Sequence, residues 1–134
     1  MNNIVLDTNI LIDYVKGYAP WIDILASKDE TSRLVLPTIV IAEYFAAVSL
    51  ENRIAQKDAD KTFALFTKQS LDEPIAKILG GLLRHKSYPS GASFADLIIA
   101  STAIFLDAPL ATRNKAHFQR IPNLRFFDPS SLEK

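Results

Sequence analysis

The chain has 134 residues, about half of them hydrophobic, enough for one domain with a real core. It has no cysteine and only two histidines, which excludes disulfides, thiolate metal sites and an all-imidazole zinc site. Formal net charge is zero, but residues 1–75 carry 7 basic and 11 acidic side chains, and residues 76–134 carry 8 and 4.

Ile4-Val5-Leu6 reads as a short buried strand. Asp7-Thr8-Asn9 supplies N-cap chemistry for a helix over Ile10–Lys16, stopped by Gly17. Pro20 opens a second helix, Trp21 to about Lys28. Leu34-Val35-Leu36 is a second strand, ended by Pro37, and Thr38 can cap a helix that carries Glu43 and reaches about Leu50. Residues 51–68 read as helical, with Ala59, Phe63 and Phe66 on one face, and Ser70-Leu71 as a weak strand. Asp72-Glu73-Pro74 starts a helix with Ile75, Ile78, Leu79 and Leu82 on its buried side. Gly80-Gly81 predicts a helix contact or a kink there. Lys86–Gly91 is a loop. Ser93 begins an almost wholly apolar helix to about Leu106, and Pro109–Thr112 and Leu124–Phe127 are the last strands.

Short apolar strands alternating with helices predict an α/β fold with a mostly parallel sheet, and with no repeat or linker the whole of 1–134 is expected to be one domain. The N-terminus lacks signal-peptide features, and no apolar stretch reaches membrane-spanning length. A soluble cytoplasmic protein, not a membrane one, is expected.

Three acids stand in apolar surroundings: Asp7 after the first strand, Glu43 after Ile39-Val40-Ile41-Ala42, and Asp96 at the head of the most apolar helix. Ligand sites in parallel sheets gather beyond the carboxyl ends of the strands, and all three can meet there. Together they would repel, so the natural compensator is a hard divalent cation with oxygen ligands. Each also has a plainer role: Asp7 as a helix cap, Asp96 as the fourth position of a Ser93-x-x-Asp96 capping box, Glu43 as an exposed helix residue. A rim of Arg84, Lys86, Arg113, Lys115 and Arg120 suits a polyanion, or is simply solvated surface. A carboxylate-held metal commonly serves phosphodiester hydrolysis.

Four ordered motifs carry a family resemblance: Val5-Leu6-Asp7-Thr8-Asn9, Leu36–Glu43, Ala95–Ala100 and Leu110–Phe118. The chain resembles PIN-domain proteins, most closely the VapC-type toxin ribonucleases of type II toxin–antitoxin systems, over roughly residues 3–127. The resemblance implies a three-layer α/β/α sandwich and an Mg²⁺- or Mn²⁺-dependent endoribonuclease. It implies that Asp7, Glu43 and Asp96 hold the metal and are the catalytic acids. Thr8 and Asn9 would orient them, and Thr112 would match a hydroxyl position beside them. PIN proteins often carry a fourth acid between Thr112 and Phe118, where this chain has Asn114 and His117. That implies one well-held metal, with a second arriving together with RNA, and His117 facing phosphate or a metal-bound water, or else making a structural hydrogen bond. Arg84, Arg113 and Lys115 are the expected RNA contacts. The expected partners are an RNA substrate, a cognate antitoxin covering the site, and a second copy of the chain. Tyr14, Trp21, Tyr44 and Phe45 would build those surfaces or fill the core. Asp13 and Asp72 read as helix-surface and helix-start residues. The competing reading is a non-catalytic PIN-like module that binds RNA or protein. A phosphoaspartate receiver or phosphatase fits less well, because no second acid accompanies Asp7.

Overall fold

A computed structural model describes residues 2–28, 32–47, 53–85 and 92–133. Strand β1 (Asn2–Leu6) leads into α1 (Thr8–Val15) and α2 (Trp21–Lys28), then β2 (Ser32–Pro37) and α3 (Thr38–Ala47). Helix α4 (Arg53–Phe63), β3 (Thr67–Gln69), α5 (Glu73–Arg84), α6 (Phe94–Phe105) and β4 (Leu110–Ala111) follow. Two short 3₁₀ turns, Lys115–His117 and Pro129–Glu133, come last.

The four strands form one sheet in the order β3-β2-β1-β4, with every pairing parallel. Ile4, Val5 and Leu6 in β1 and Leu34, Val35 and Leu36 in β2 are all buried. Consecutive burial of this kind requires cover on both faces of the sheet, as in a three-layer α/β/α sandwich. Helix α6 packs on β1 and β2 and against α3 and α5. Its Leu97–Ala103 stretch is buried throughout, which is why its sequence has no polar side. Ser101 and Thr102 in that stretch donate their hydroxyls to the Leu97 and Ile98 carbonyls, so neither is left unpaired.

Several local expectations hold. Gly17 ends α1 with φ +83°, a conformation that favours glycine. Asp72 caps α5 through the Ile75 N–H, with Pro74 in the first turn. Tyr44 is buried against Phe63, ring centroids 5.4 Å apart, and Trp21 packs on Phe127 at 5.1 Å.

Other elements differ. The third strand is Thr67–Gln69, before the expected Ser70-Leu71, and α4 stops at Phe63. Val35, Leu36 and Pro37 of β2 set that register by pairing with Thr67, Lys68 and Gln69. Leu124–Phe127 makes a single bridge, Phe126 to Leu110, and no strand. Strand β4 offers it little to pair with, since Thr112 turns away after two residues. Helix α5 runs unbroken through Gly80-Gly81, and a Cβ at Gly80 would meet nothing within 4 Å, so close helix packing is not its reason. The expected end of α3 near Leu50 and the Lys86–Gly91 loop, with Lys86, lie outside the described residues. No helix among the described residues is long and apolar enough to cross a membrane.

Candidate metal centre

Parallel β1 and β4 end side by side, and the Asp7 N–H donates to the Ala111 carbonyl at 3.0 Å. The next residue on each strand therefore points into the same space, and these are Asp7 and Thr112. Asp7 is the N-cap of α1 and takes the Thr8 N–H on Oδ1 at 2.7 Å. Its Oδ2 takes the Thr112 hydroxyl at 2.7 Å and the Asn9 amide at 3.2 Å. A carboxylate offers about four acceptor positions, so one remains, and it is on Oδ1.

The Thr112 hydroxyl has a fixed direction. Its oxygen accepts the Asn114 N–H at 3.0 Å, and its single proton goes to Asp7. Thr8 links the second acid, donating its hydroxyl to Glu43 Oε1 at 2.7 Å. Strand β2 passes straight into α3, and this places Glu43 in the second turn of the helix. Asp96 closes the capping box at the start of α6, taking the Ser93 N–H on Oδ2 at 2.9 Å. His117 Nδ1 stands 3.5 Å from the same oxygen.

Asp7 is 5% exposed. Burial pushes its carboxyl above the usual range, the bonds from Thr112 and Thr8 pull it back, and the charges of Asp96 and Glu43 push it up again. The charges of Asp96 and Glu43 thus reach Asp7, and the three acids share one electrostatic neighbourhood. The donors are hard oxygen anions, which suit Mg²⁺ or Mn²⁺. Among the described residues, no three acid or histidine side chains are close enough to form a ready-made cage.

The sequence profile of the PIN domain matches residues 4–124. The chain belongs to the PIN-domain family. Within it, the ribonuclease VapC19 of Mycobacterium tuberculosis is 30% identical over 122 residues, covering 90% of this chain and 96% of that protein. VapBC2 of Rickettsia felis, crystallised with a DNA fragment from its promoter, contains a chain that superposes with TM-score 0.75 at 28% identity. That alignment covers 93% of this chain and 97% of the other. VapBC-1 of nontypeable Haemophilus influenzae gives TM-score 0.74 at 28% identity, covering 96% and 98%. This PIN domain is of the VapC type.

The remaining expected residues sit as follows. Asn114 contributes its backbone N–H to Thr112, while its side chain is exposed. Lys115 is exposed, its Nζ 5.8 Å above the Phe126 ring. Arg84 lies exposed in the last turn of α5. Arg113 is not a free cation: it is ion-paired with Asp13, its Nε 2.6 Å from Oδ2. Asp13, expected to be a plain surface residue, has a side chain only 16% exposed. Its spacing was the available signal, since Asn9 and Asp13 are one helical turn apart and share a face.

Proposed function

We propose that this PIN domain is a divalent-metal-dependent endoribonuclease and the toxin of a toxin–antitoxin pair. The observation that carries the reading is a buried Asp7 whose charged neighbours are carboxylates, at the strand ends where Thr8, Asn9 and Thr112 already orient it. A relative named as a ribonuclease and solved relatives named VapBC support the activity and the antitoxin partner. RNA as substrate, a homodimer and a cytoplasmic site of action belong to the same reading.

Asp7, Glu43 and Asp96 would hold Mg²⁺ or Mn²⁺. When bound, such an ion polarises a phosphoryl oxygen and lowers the pKa of its water. The protein's own part is to keep the acceptors aimed. Thr112, Asn9 and the Thr8 N–H hold the Asp7 carboxylate, and the Thr8 hydroxyl fixes Glu43. Those bonds also favour the charged form of Asp7 against its burial, which a cation ligand requires. His117 stands by Asp96 and can pass a hydrogen bond to it or to a substrate phosphate.

Purified protein incubated with structured RNA and Mn²⁺ tests the reading. Cleavage that disappears with a chelator, and in Asp7→Asn and Asp96→Asn variants that still fold, is the expected result. Undiminished cleavage in both variants would refute it. One observation favours a second reading, a module that binds RNA or protein without cutting: Asp96 Oδ2 already accepts the Ser93 N–H and has His117 Nδ1 3.5 Å away, and no complete cage is formed among the described residues. RNA binding with no calorimetric Mn²⁺ signal would support that module.

A further inference from the structure

Arg113 follows Thr112, the residue whose hydroxyl holds Asp7, and it is gripped twice by α1. Its backbone N–H donates to Asn9 Oδ1 at 3.2 Å, and its guanidinium is ion-paired with Asp13, Nε standing 2.6 Å from Oδ2. Asn9 and Asp13 are one turn apart, so a single helix face takes both the main chain and the side chain of one loop residue. Asn9 also donates to Asp7, so the same amide that steadies Arg113 steadies the acid.

The loop needs such a fastening. Strand β4 has only two residues, and the Arg113, Asn114, Lys115 and Ala116 side chains are exposed, so little packing holds the segment. Asp13 lies near the carboxyl end of α1, where an acid opposes the helix dipole. A guanidinium directly against it removes that conflict. The pair forms part of the wall of a cleft of about 330 Å³ that also includes Thr112.

We infer that Arg113 is a positioning residue: with Asp13 it latches the β4 loop to α1 and so sets the Thr112 hydroxyl on Asp7, and it is not primarily a contact for RNA. The inference rests on the proposed nuclease reading for its catalytic meaning. The latch itself is a property of the metal-free protein and can be measured there.

Asp13→Asn separates the two roles by sign. If Arg113 served RNA, removing its intramolecular anion would release it, and KM for RNA would fall or stay level with kcat unchanged. A latch predicts that kcat falls while KM stays within about twofold. Mn²⁺ affinity measured by calorimetry should weaken about 10-fold, as for other groups that orient metal ligands. Amide exchange at Arg113 and Asn114 in metal-free protein should quicken about 10-fold, because local opening becomes easier. Arg113→Ala should match Asp13→Asn, the double variant should be no worse than either, and Arg113→Lys should recover part of the loss. With Arg113 59% exposed, solvent screens the pair, so the melting temperature should barely move. Unchanged exchange and Mn²⁺ affinity in Asp13→Asn, or a raised KM with unchanged kcat in Arg113→Ala, would overturn the latch. Failure of the nuclease reading looks different: wild-type protein would not cut RNA, whatever the exchange rates.

Discussion

Asp7 is an acid that the folded chain resists charging. Its pKa is raised by burial first and by Asp96 and Glu43 last, with Thr112 and Thr8 opposing. A raised acid pKa means the folded protein holds the proton more tightly than the unfolded chain does. The penalty is therefore full above the raised value, shrinks as pH falls through it, and is gone below the ordinary value of 3.8. Relative to wild type, metal-free Asp7→Asn should gain melting temperature as pH rises through the raised value and lose that gain on acidification, on top of a pH-independent cost for setting its amide N–H₂ against a donor. Calorimetric melts across that range check the sign. The same substitution should reduce RNA cleavage to background. Thr112→Val removes the one side-chain hydroxyl on Asp7 at nearly constant volume, and Mn²⁺ affinity should drop about 10-fold. Asp7, Thr8 and Thr112 were legible as a group from their places after strands and in family motifs. The Asp13–Arg113 pair was not, because a charged residue on a short helix reads as solvent-facing until the strand beside it is known.

Helix ends were the most readable elements, since their signals are local. Ser93-x-x-Asp96 is a capping box in the structure as in the sequence, with Asp96 N–H donating to Ser93 Oγ at 3.0 Å. Ser93→Ala should cost about 1 kcal/mol in chemical denaturation. Gly80 lies within α5 with open space around its missing Cβ, so Gly80→Ala should stabilise the protein by about 0.8 kcal/mol in the same assay. The strands were harder to place. Thr67-Lys68-Gln69 has no buried residue and no apolar alternation, and it is a strand because β2 beside it lacks a partner on that edge. Leu124–Phe127 carried the strand composition yet forms one bridge, because the neighbouring β4 is only two residues long. In both cases pairing across the sheet overrode the local preference.

For the molecule as a whole, the parallel architecture was legible from alternating buried strands and helices, and the strand order was not. That order, β3-β2-β1-β4, puts the first and last strands side by side. A ligand that binds only the folded form stabilises it by mass action. Saturating Mn²⁺ should therefore raise the wild-type melting temperature by several degrees and leave Asp7→Asn unmoved. Both the cluster and this response depend on a hydrogen bond between residues 105 positions apart, Thr112 to Asp7.

That separation governs when the chemistry can begin. Asp7, Glu43 and Asp96 are all synthesised before the hydroxyl that aims the first of them. A nascent chain, or one cut short between residues 96 and 112, holds every acid but lacks the hydroxyl that aims Asp7. On the nuclease reading, a cell making this protein would meet its full activity only once β4 has emerged and slotted in beside β1, and copies terminated before that point would be weakened.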